Sequence, residues 1–442
     1  MRFFHAAASV LTLALAAQSV AAEDAATRKA IEVEYDTYLA PLFLDFHQNP
    51  EMGFLENRTA AKMAAELRAA GLEVTTGVGK TGVVGILKNG EGPLILLRAD
   101  MDGLPVEEKT GLAYASKAKQ IGEDGKEYPT MHACGHDTHI TSMVGTARRL
   151  AAMKDKWSGT LMFVVQPAEE GVRGAKAMME DGLYQRFGKP DYALAFHVAA
   201  ELETGKVSAS EGIQYASSDS LDIRVPGIGT HGAAPHLGRD PVYIASQIVT
   251  ALQSIDSREI GPLTPVVVTV GSFHAGSKHN IISDEAMLQV TVRANDEETR
   301  EQVIATISRI AVNIGKAHGL PDNLPVEVKR LSGTPTTNND PALARRLNAV
   351  MQRELGADAV VPFQQKNMGA EDFTYFVAPD TGVPGYYFAV GGTTPERIAA
   401  AKAGGPPIAG HHSPLFQIAP KESIVLGTRA MVAAVLDLAP AK

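Results

Sequence analysis

Apolar and polar positions along the chain fall into two textures. Ala25 to His47 and Glu56 to Ala70 carry helical spacing, and Gly71 follows the second run as a C-terminal cap. Short β runs come next, at Leu72 to Thr76, Thr81 to Lys88 and Pro93 to Arg98. The pattern then predicts a helix from about Thr138 to Met153, a strand Thr160 to Val165, a helix Gly174 to Asp181 and a strand Tyr192 to Phe196. Several of these strands are continuous apolar runs, the pattern of an α/β sheet covered on both faces.

From about Ser217 the texture changes. Strands at Leu221 to Val225, Val266 to Val270, Ala286 to Arg293 and Val326 to Leu331 frame helices at Asp240 to Ile255 and Asp296 to Ala317. The order β-α-β-β-α-β is that of a ferredoxin-like unit. After Gly333-Thr-Pro335, which reads as a hinge, helix and strand signals resume to the C-terminus. The expected fold is therefore two-domain α/β. A discontinuous mixed-sheet domain (residues 23–216 and 333–442) carries an inserted βαββαβ domain (residues 217–332).

Length agrees with this division, because 442 residues exceed what one ordinary core accommodates. A composition 45% hydrophobic and 21% charged is that of a soluble globular protein acting on small molecules. The net charge of −9, with no Lys/Arg cluster, excludes a nucleic-acid footprint and gives no support to an anionic membrane as partner. The first 22 residues read differently. Arg2, an apolar run from Ala6 to Ala17 and the small residues Ser19-Val-Ala-Ala22 make a signal peptide, so the mature chain is expected to begin near Glu23, exported to periplasm or medium, with no membrane span. The chain has a single cysteine, Cys134, and so no internal disulfide; burial or metal ligation must account for that thiol.

Three predicted strands run into chemically active residues. Pro93 to Leu97 leads to Arg98-Ala-Asp100-Met-Asp102, Leu161 to Val165 to Gln166-Pro-Ala-Glu169-Glu170, and Ala193 to Phe196 to His197. Ligands of open α/β sheets bind beyond such carboxyl ends, which places Asp100, Glu169, Glu170 and His197 in one candidate cleft. The densest cluster is Met131-His132-Ala-Cys134-Gly-His136-Asp137-Thr-His139, in a chain of only 13 histidines. Thiolate and imidazole together suit a borderline metal such as zinc. An adjacent glutamate pair is often a solvated helix start, but at this sheet edge one can bind metal while the other serves as general base. Gly410-His411-His412-Ser-Pro414 offers a further ligand on a loop. Cys134 as a thiol nucleophile is the rival chemistry, and the surrounding carboxylates oppose it by raising the thiol pKa.

Taken together, Leu97-Arg-Ala-Asp-Met-Asp-Gly-Leu-Pro105, His132-Ala-Cys-Gly-His-Asp137, Gln166-Pro-Ala-Glu-Glu170, Gly369-Ala-Glu-Asp-Phe373 and His412-Ser-Pro414 resemble the M20 metallopeptidase family. The likeness is to its amidohydrolase branch of hippurate hydrolases, aminoacylases and auxin-conjugate hydrolases, and runs from about Leu39 to the C-terminus. It implies two divalent metal ions (zinc, manganese, cobalt or nickel) on Cys134, His136, Glu170, His197 and His412, with Glu169 as general base. Arg98 stands where peptidase branches have the first ligand, so Asp100 is expected behind the ligands rather than among them. The inserted domain resembles a lid and dimerisation domain. There His231, in Gly229-Thr-His-Gly-Ala-Ala-Pro235, corresponds to a histidine that stabilises the oxyanion in the partner subunit's site. Asn280 and Gly369 correspond to substrate-binding positions. Ser283, where the family often has proline, and Ile228-Gly229, where it often has lysine-glycine, depart from the pattern in the lid. The expected activity is metal-dependent hydrolysis of an amide next to a free α-carboxylate, in an N-acyl amino acid or dipeptide, by a homodimer. A metal- or peptide-binding protein on the same scaffold would not need a base at Glu169.

Overall fold

A computed structural model describes residues 25–441 and divides the chain into two compact units. The first holds the chain up to Gly212, Asn339–Phe363 and everything from Thr381 onward; the second holds Ile213–Asn338 and Gln364–Asp380. The expected signal peptide lies outside the described residues. Among the described residues no helix is long and apolar enough to cross a membrane.

The first unit is built on an eight-stranded mixed sheet. Its strands run in the order Glu73–Val78, Gly82–Asn89, Gly159–Gln166, Leu94–Asp100, Tyr192–Glu203, Gly385–Thr393, Val207–Ser208, Val360–Val361. The four strands from Gly159–Gln166 to Gly385–Thr393 are mutually parallel. Alternation along a strand sends Ile95, Leu97, Leu161, Phe163, Val165, Leu194 and Phe196 to a core shared with the helices Asn57–Ala69, His136–Ala152, Pro341–Leu355 and Pro420–Leu438. Leu96, Met162, Val164, Ala193 and Ala195 point the other way and are equally buried. Burial of both faces is why these strands read as unbroken apolar runs.

The second unit is a four-stranded antiparallel sheet, ordered Val266–Ala275, Glu285–Ala294, Ser218–Pro226, Glu327–Thr334. The helices Pro241–Leu252 and Glu297–Ala317 share its core. Each starts after an aspartate cap, Asp240 accepting from the Val242 amide at 2.9 Å and Asp296 from the Thr299 amide at 2.8 Å. The order is the ferredoxin-like one. Val266–Ala275 extends well past the expected Val270, because the register shifts between Val270 and Ser272 and the alternation that marks a strand breaks there.

Gln364–Asp380, which the sequence assigned to the larger domain, groups with the second unit. Polar contacts tie it there. Gln365 and Asn295 exchange side-chain hydrogen bonds, the Ala216 amide donates to the Gly369 carbonyl, and the Tyr375 hydroxyl donates to the Gly333 carbonyl at 2.7 Å.

Candidate metal centre

Leu94–Asp100 and Gly159–Gln166 end level with each other, Asp100 opposite Gln166. Their continuations, Met101-Asp102 and Pro167 to Glu170, leave the sheet side by side. The strand on the other side was expected to stop at Phe196 and instead runs through His197 to Glu203. Pairing with Gly385–Thr393, which sets Ala389 against His197, keeps it extended. His197 thus projects from within a strand rather than from the loop beyond one. The fourth contributor is the helix His136–Ala152, which starts two residues before the expected Thr138. Its cap, Gly135, takes φ 87°, and a Cβ there would lie 2.4 Å from Val198 Cγ1, so only glycine can turn Cys134 and His136 toward one point.

Hydrogen bonds to the protein fix which ring nitrogens remain for a cation. His136 Nδ1 lies 2.8 Å from the Asp102 carbonyl and His197 Nδ1 2.7 Å from the Val198 carbonyl. A carbonyl only accepts, so each Nδ1 carries a proton and each Nε2 is the nitrogen left to face a cation. His197 Nε2 is 3.3 Å from Cys134 Sγ, and His136 Nε2 faces Glu169 at 3.8 Å and Glu170 at 4.0 Å. His412, at φ 65°, brings Nε2 to 3.1 Å from Glu170 Oε2. His139 is committed elsewhere: its Nε2 accepts the Val198 amide at 2.8 Å, leaving Nδ1–H to donate to Asp100 at 2.5 Å. Asp100 also pairs with Arg98 at 2.7 Å, and Arg98 Nε donates to Gln166 at 2.8 Å. With Arg98 and His139 both on its carboxylate, Asp100 sits as a group that orients its neighbours.

Cys134, His136 and His197 place ligand atoms within 4.8 Å of one another, as do Cys134, Glu170 and His412, and His136, Glu169 and Glu170. His136 Nε2 and Glu170 Oε1 are buried without a hydrogen-bond partner. Buried orphans are costly, and an imidazole nitrogen turned toward two carboxylates calls for positive charge between them, so these residues fit a metal. The electrostatics agree. Burial pushes the Cys134 thiol well above its ordinary range, and Glu170, Glu169 and Asp100 push it further. Burial would lower His136, but Asp100, Asp102 and Glu170 outweigh it and raise it to about 10. Burial drives His197 well below its usual value, and His139 and His411 add to that. A thiol held protonated by its neighbours is a poor nucleophile and becomes a good ligand once a cation offsets those carboxylates.

His231, Asn280 and Gly369 belong to the second unit. His231 and Asn280 are neighbours there: the Gly232 amide donates to the Asn280 carbonyl at 2.8 Å, and His231 pairs with Ile281. His231 Nδ1 accepts the Ala233 amide at 3.0 Å, so the exposed imidazole carries its proton on Nε2. Gly369 donates its amide to Asn367 Oδ1 at 3.0 Å.

Sequence reasoning passed over two residues at the centre. His411 is buried with Nδ1 3.6 Å from Cys134 Sγ, and burial lowers it to about 4. Asp102 supplies the carbonyl that orients His136 and a carboxylate oxygen to the Glu170 amide at 3.0 Å. Asp102 stood in a quoted motif and His411 beside a chosen ligand; adjacency was the only signal available.

The profile of peptidase family M20/M25/M40 matches residues 96–404. The hippurate hydrolase of Campylobacter jejuni is 41% identical over 75% of this chain and 82% of its own length. Thermostable carboxypeptidase 1 of Saccharolobus solfataricus is 36% identical over 81% and 86%. The Bacillus subtilis YXEP protein, described as a dinuclear metal binding peptidase from the M20 family, superimposes with a TM-score of 0.73 at 29% identity, covering 92% of this chain and 98% of that one. By sequence and by fold the chain belongs to peptidase family M20/M25/M40 and is an amide-bond hydrolase.

Proposed function

We propose that this protein hydrolyses the amide bond of N-acyl amino acids, or of dipeptides with a free α-carboxylate. The observation that carries the reading is the pair of orphaned buried atoms, His136 Nε2 and Glu170 Oε1, converging beside Glu169. Cys134, His136, Glu170, His197 and His412 would hold two divalent cations, the mixed sulfur, nitrogen and oxygen set admitting zinc, manganese, cobalt or nickel. Cations bound there supply Lewis acidity toward a carbonyl and make water nucleophilic near neutral pH. Glu169, buried and facing the same point, takes the proton of the attacking water and returns it to the departing amine. His231, with its Nε2 proton outward, donates to the developing oxyanion, and Asn280 and Gly369 hold the substrate. The names of the hippurate hydrolase and carboxypeptidase relatives support an amide beside a free carboxylate.

A homodimer built through the second unit is part of the same reading. It is supported by the exposed apolar residues Leu237, Val242, Tyr243, Phe273 and Ile281 and by the long edge strand Val266–Ala275. Light scattering on the purified protein tests it, a monomer mass counting against it. Export through residues 1–22 is likewise proposed, and fractionation of the producing cell checks it.

The deciding experiment is hydrolysis of a panel of N-acyl amino acids, hippurate included, and dipeptides, with chelator and then with divalent metal added back. Activity lost to chelation and restored by metal is the expected result. Chelator-insensitive hydrolysis would move the chemistry to Cys134, and metal-loaded protein inert on every member would overturn the substrate class.

A further inference from the structure

Glu56 precedes the helix Asn57–Ala69 and is fully buried. A carboxyl in such a place is costly unless both oxygens are hydrogen-bonded, and both are. One accepts the Ala168 amide at 2.8 Å, and the other accepts the Thr81 hydroxyl at 2.6 Å. Ala168 immediately precedes Glu169 and takes φ 48°, in the left-handed region. That conformation is disfavoured for a non-glycine residue and persists only where the surroundings impose it. Several contacts do so. Gly53 backs onto Ala168 so closely that a Cβ would lie 2.9 Å from its Cα, and the Ala168 carbonyl accepts the amides of Arg173 and Gly174 at 3.2 Å each. Val172, a few residues on, is also left-handed, at φ 52°. Among these contacts Glu56 is the one that holds the Ala168 amide.

We propose that Glu56 is a positioning residue of the hydrolytic centre, gripping the Ala168 amide so that the strained turn aims Glu169 and Glu170. The inference rests on the reading of Glu169 as base and Glu170 as ligand. Without the acceptor the Ala168 N–H is left buried and unpaired, and the turn can relax toward ordinary φ values. A misplacement of about 1 Å at a catalytic group costs roughly 100-fold in rate. Because Glu56 touches Ala168 and Thr81 rather than a ligand, its loss should lower kcat and cation affinity while leaving KM nearly unchanged.

The test compares Glu56→Gln, Glu56→Asp and Glu56→Ala in the full protein, reading kcat, KM and cobalt(II) affinity by chelator competition. Burial and the nearby Asp102 push Glu56 up to about 7, so the neutral amide of Glu56→Gln is a fair stand-in, still able to accept the Ala168 N–H. Glu56→Gln should stay within about 3-fold of wild type, whereas Glu56→Asp, too short to bridge both partners, and Glu56→Ala should lose about 10-fold or more in kcat and bind cobalt more weakly. Wild-type kcat and cobalt affinity in Glu56→Asp or Glu56→Ala, with only a lower melting temperature, would make Glu56 a plain packing residue and overturn the proposal. A Glu56→Gln variant as impaired as Glu56→Ala would overturn it too, since charge rather than the hydrogen bond would then be at work. Should Glu56→Ala not fold, the other two variants decide. If wild type binds cobalt but cleaves nothing in the panel, the functional reading fails while the cobalt affinities still judge Glu56.

Discussion

A general base must stand beside its cations without being consumed as a ligand, and the proposed function gives that role to Glu169, 3.8 Å from His136 Nε2. Glu169→Gln should therefore retain metal, as elemental analysis would report, and lose at least about 100-fold in kcat. Near-normal turnover would remove Glu169 from the role. His231→Ala should keep its metal and lose about 3 kcal/mol of transition-state stabilisation, roughly 100-fold in kcat; an unchanged kcat would count against an oxyanion donor there. The ligand candidates were legible in sequence because thiol, imidazole and carboxylate crowd into short motifs. Glu56 was not, since a single glutamate at a helix start normally reads as a solvated cap; only its complete burial and its hold on the Ala168 amide distinguish it. Nor does any sequence pattern state which nitrogen of His136 or His197 bears the proton. Backbone carbonyls settle that.

At the scale of elements, His47 joins three pieces of the first unit. It lies in the helix Ala40–Gln48, with Nδ1 2.7 Å from Asp137 on the helix His136–Ala152 and Nε2 3.3 Å from Glu108 on a loop. Burial would lower its pKa, but Asp137 and Glu108 outweigh that and raise it from 6.5 to about 9. A histidine whose folded pKa lies above its unfolded value contributes stability fully below pH 6.5 and loses it as pH rises toward about 9. Metal-free wild type should lose melting temperature across that window, and His47→Gln should show a flatter profile; parallel profiles would exclude His47 as the titrating group. In the second unit, fully buried Asp219 accepts Arg300 Nε at 2.8 Å and Nη2 at 2.9 Å, and Arg330 Nε at 2.6 Å. Asp219→Ala leaves the buried Arg300 guanidinium with Glu297 alone, at a cost of about 3 kcal/mol measurable by denaturant unfolding. The elements themselves followed from periodicity where packing is regular. They departed from it at the Gly271 bulge and at His197, where a partner strand overrides the local pattern.

For the whole molecule, the two units make separate predictions. Divalent metal should raise the melting transition of the first unit, which contains Cys134, His136, Glu170, His197 and His412, and leave that of the second in place. Scanning calorimetry with and without chelator checks this, and a common shift of both would show that the units unfold as one. A change in texture near Ser217, close to Ile213 where the second unit begins, was legible in the sequence. The return of Gln364–Asp380 to the second unit was not, because hydrogen bonds between residues distant in sequence decide it. Discontinuity of the first unit also has a bearing on how the protein is made. Most of the second unit is one uninterrupted stretch that can form as it leaves the ribosome. The first unit's sheet needs Gly385–Thr393 to pair with Tyr192–Glu203, and the proposed metal centre includes His412. Parallel pairing over such separations is slow. On that reading the hydrolase should stay inert on the ribosome until His412 has emerged, a delay written into the order of its strands.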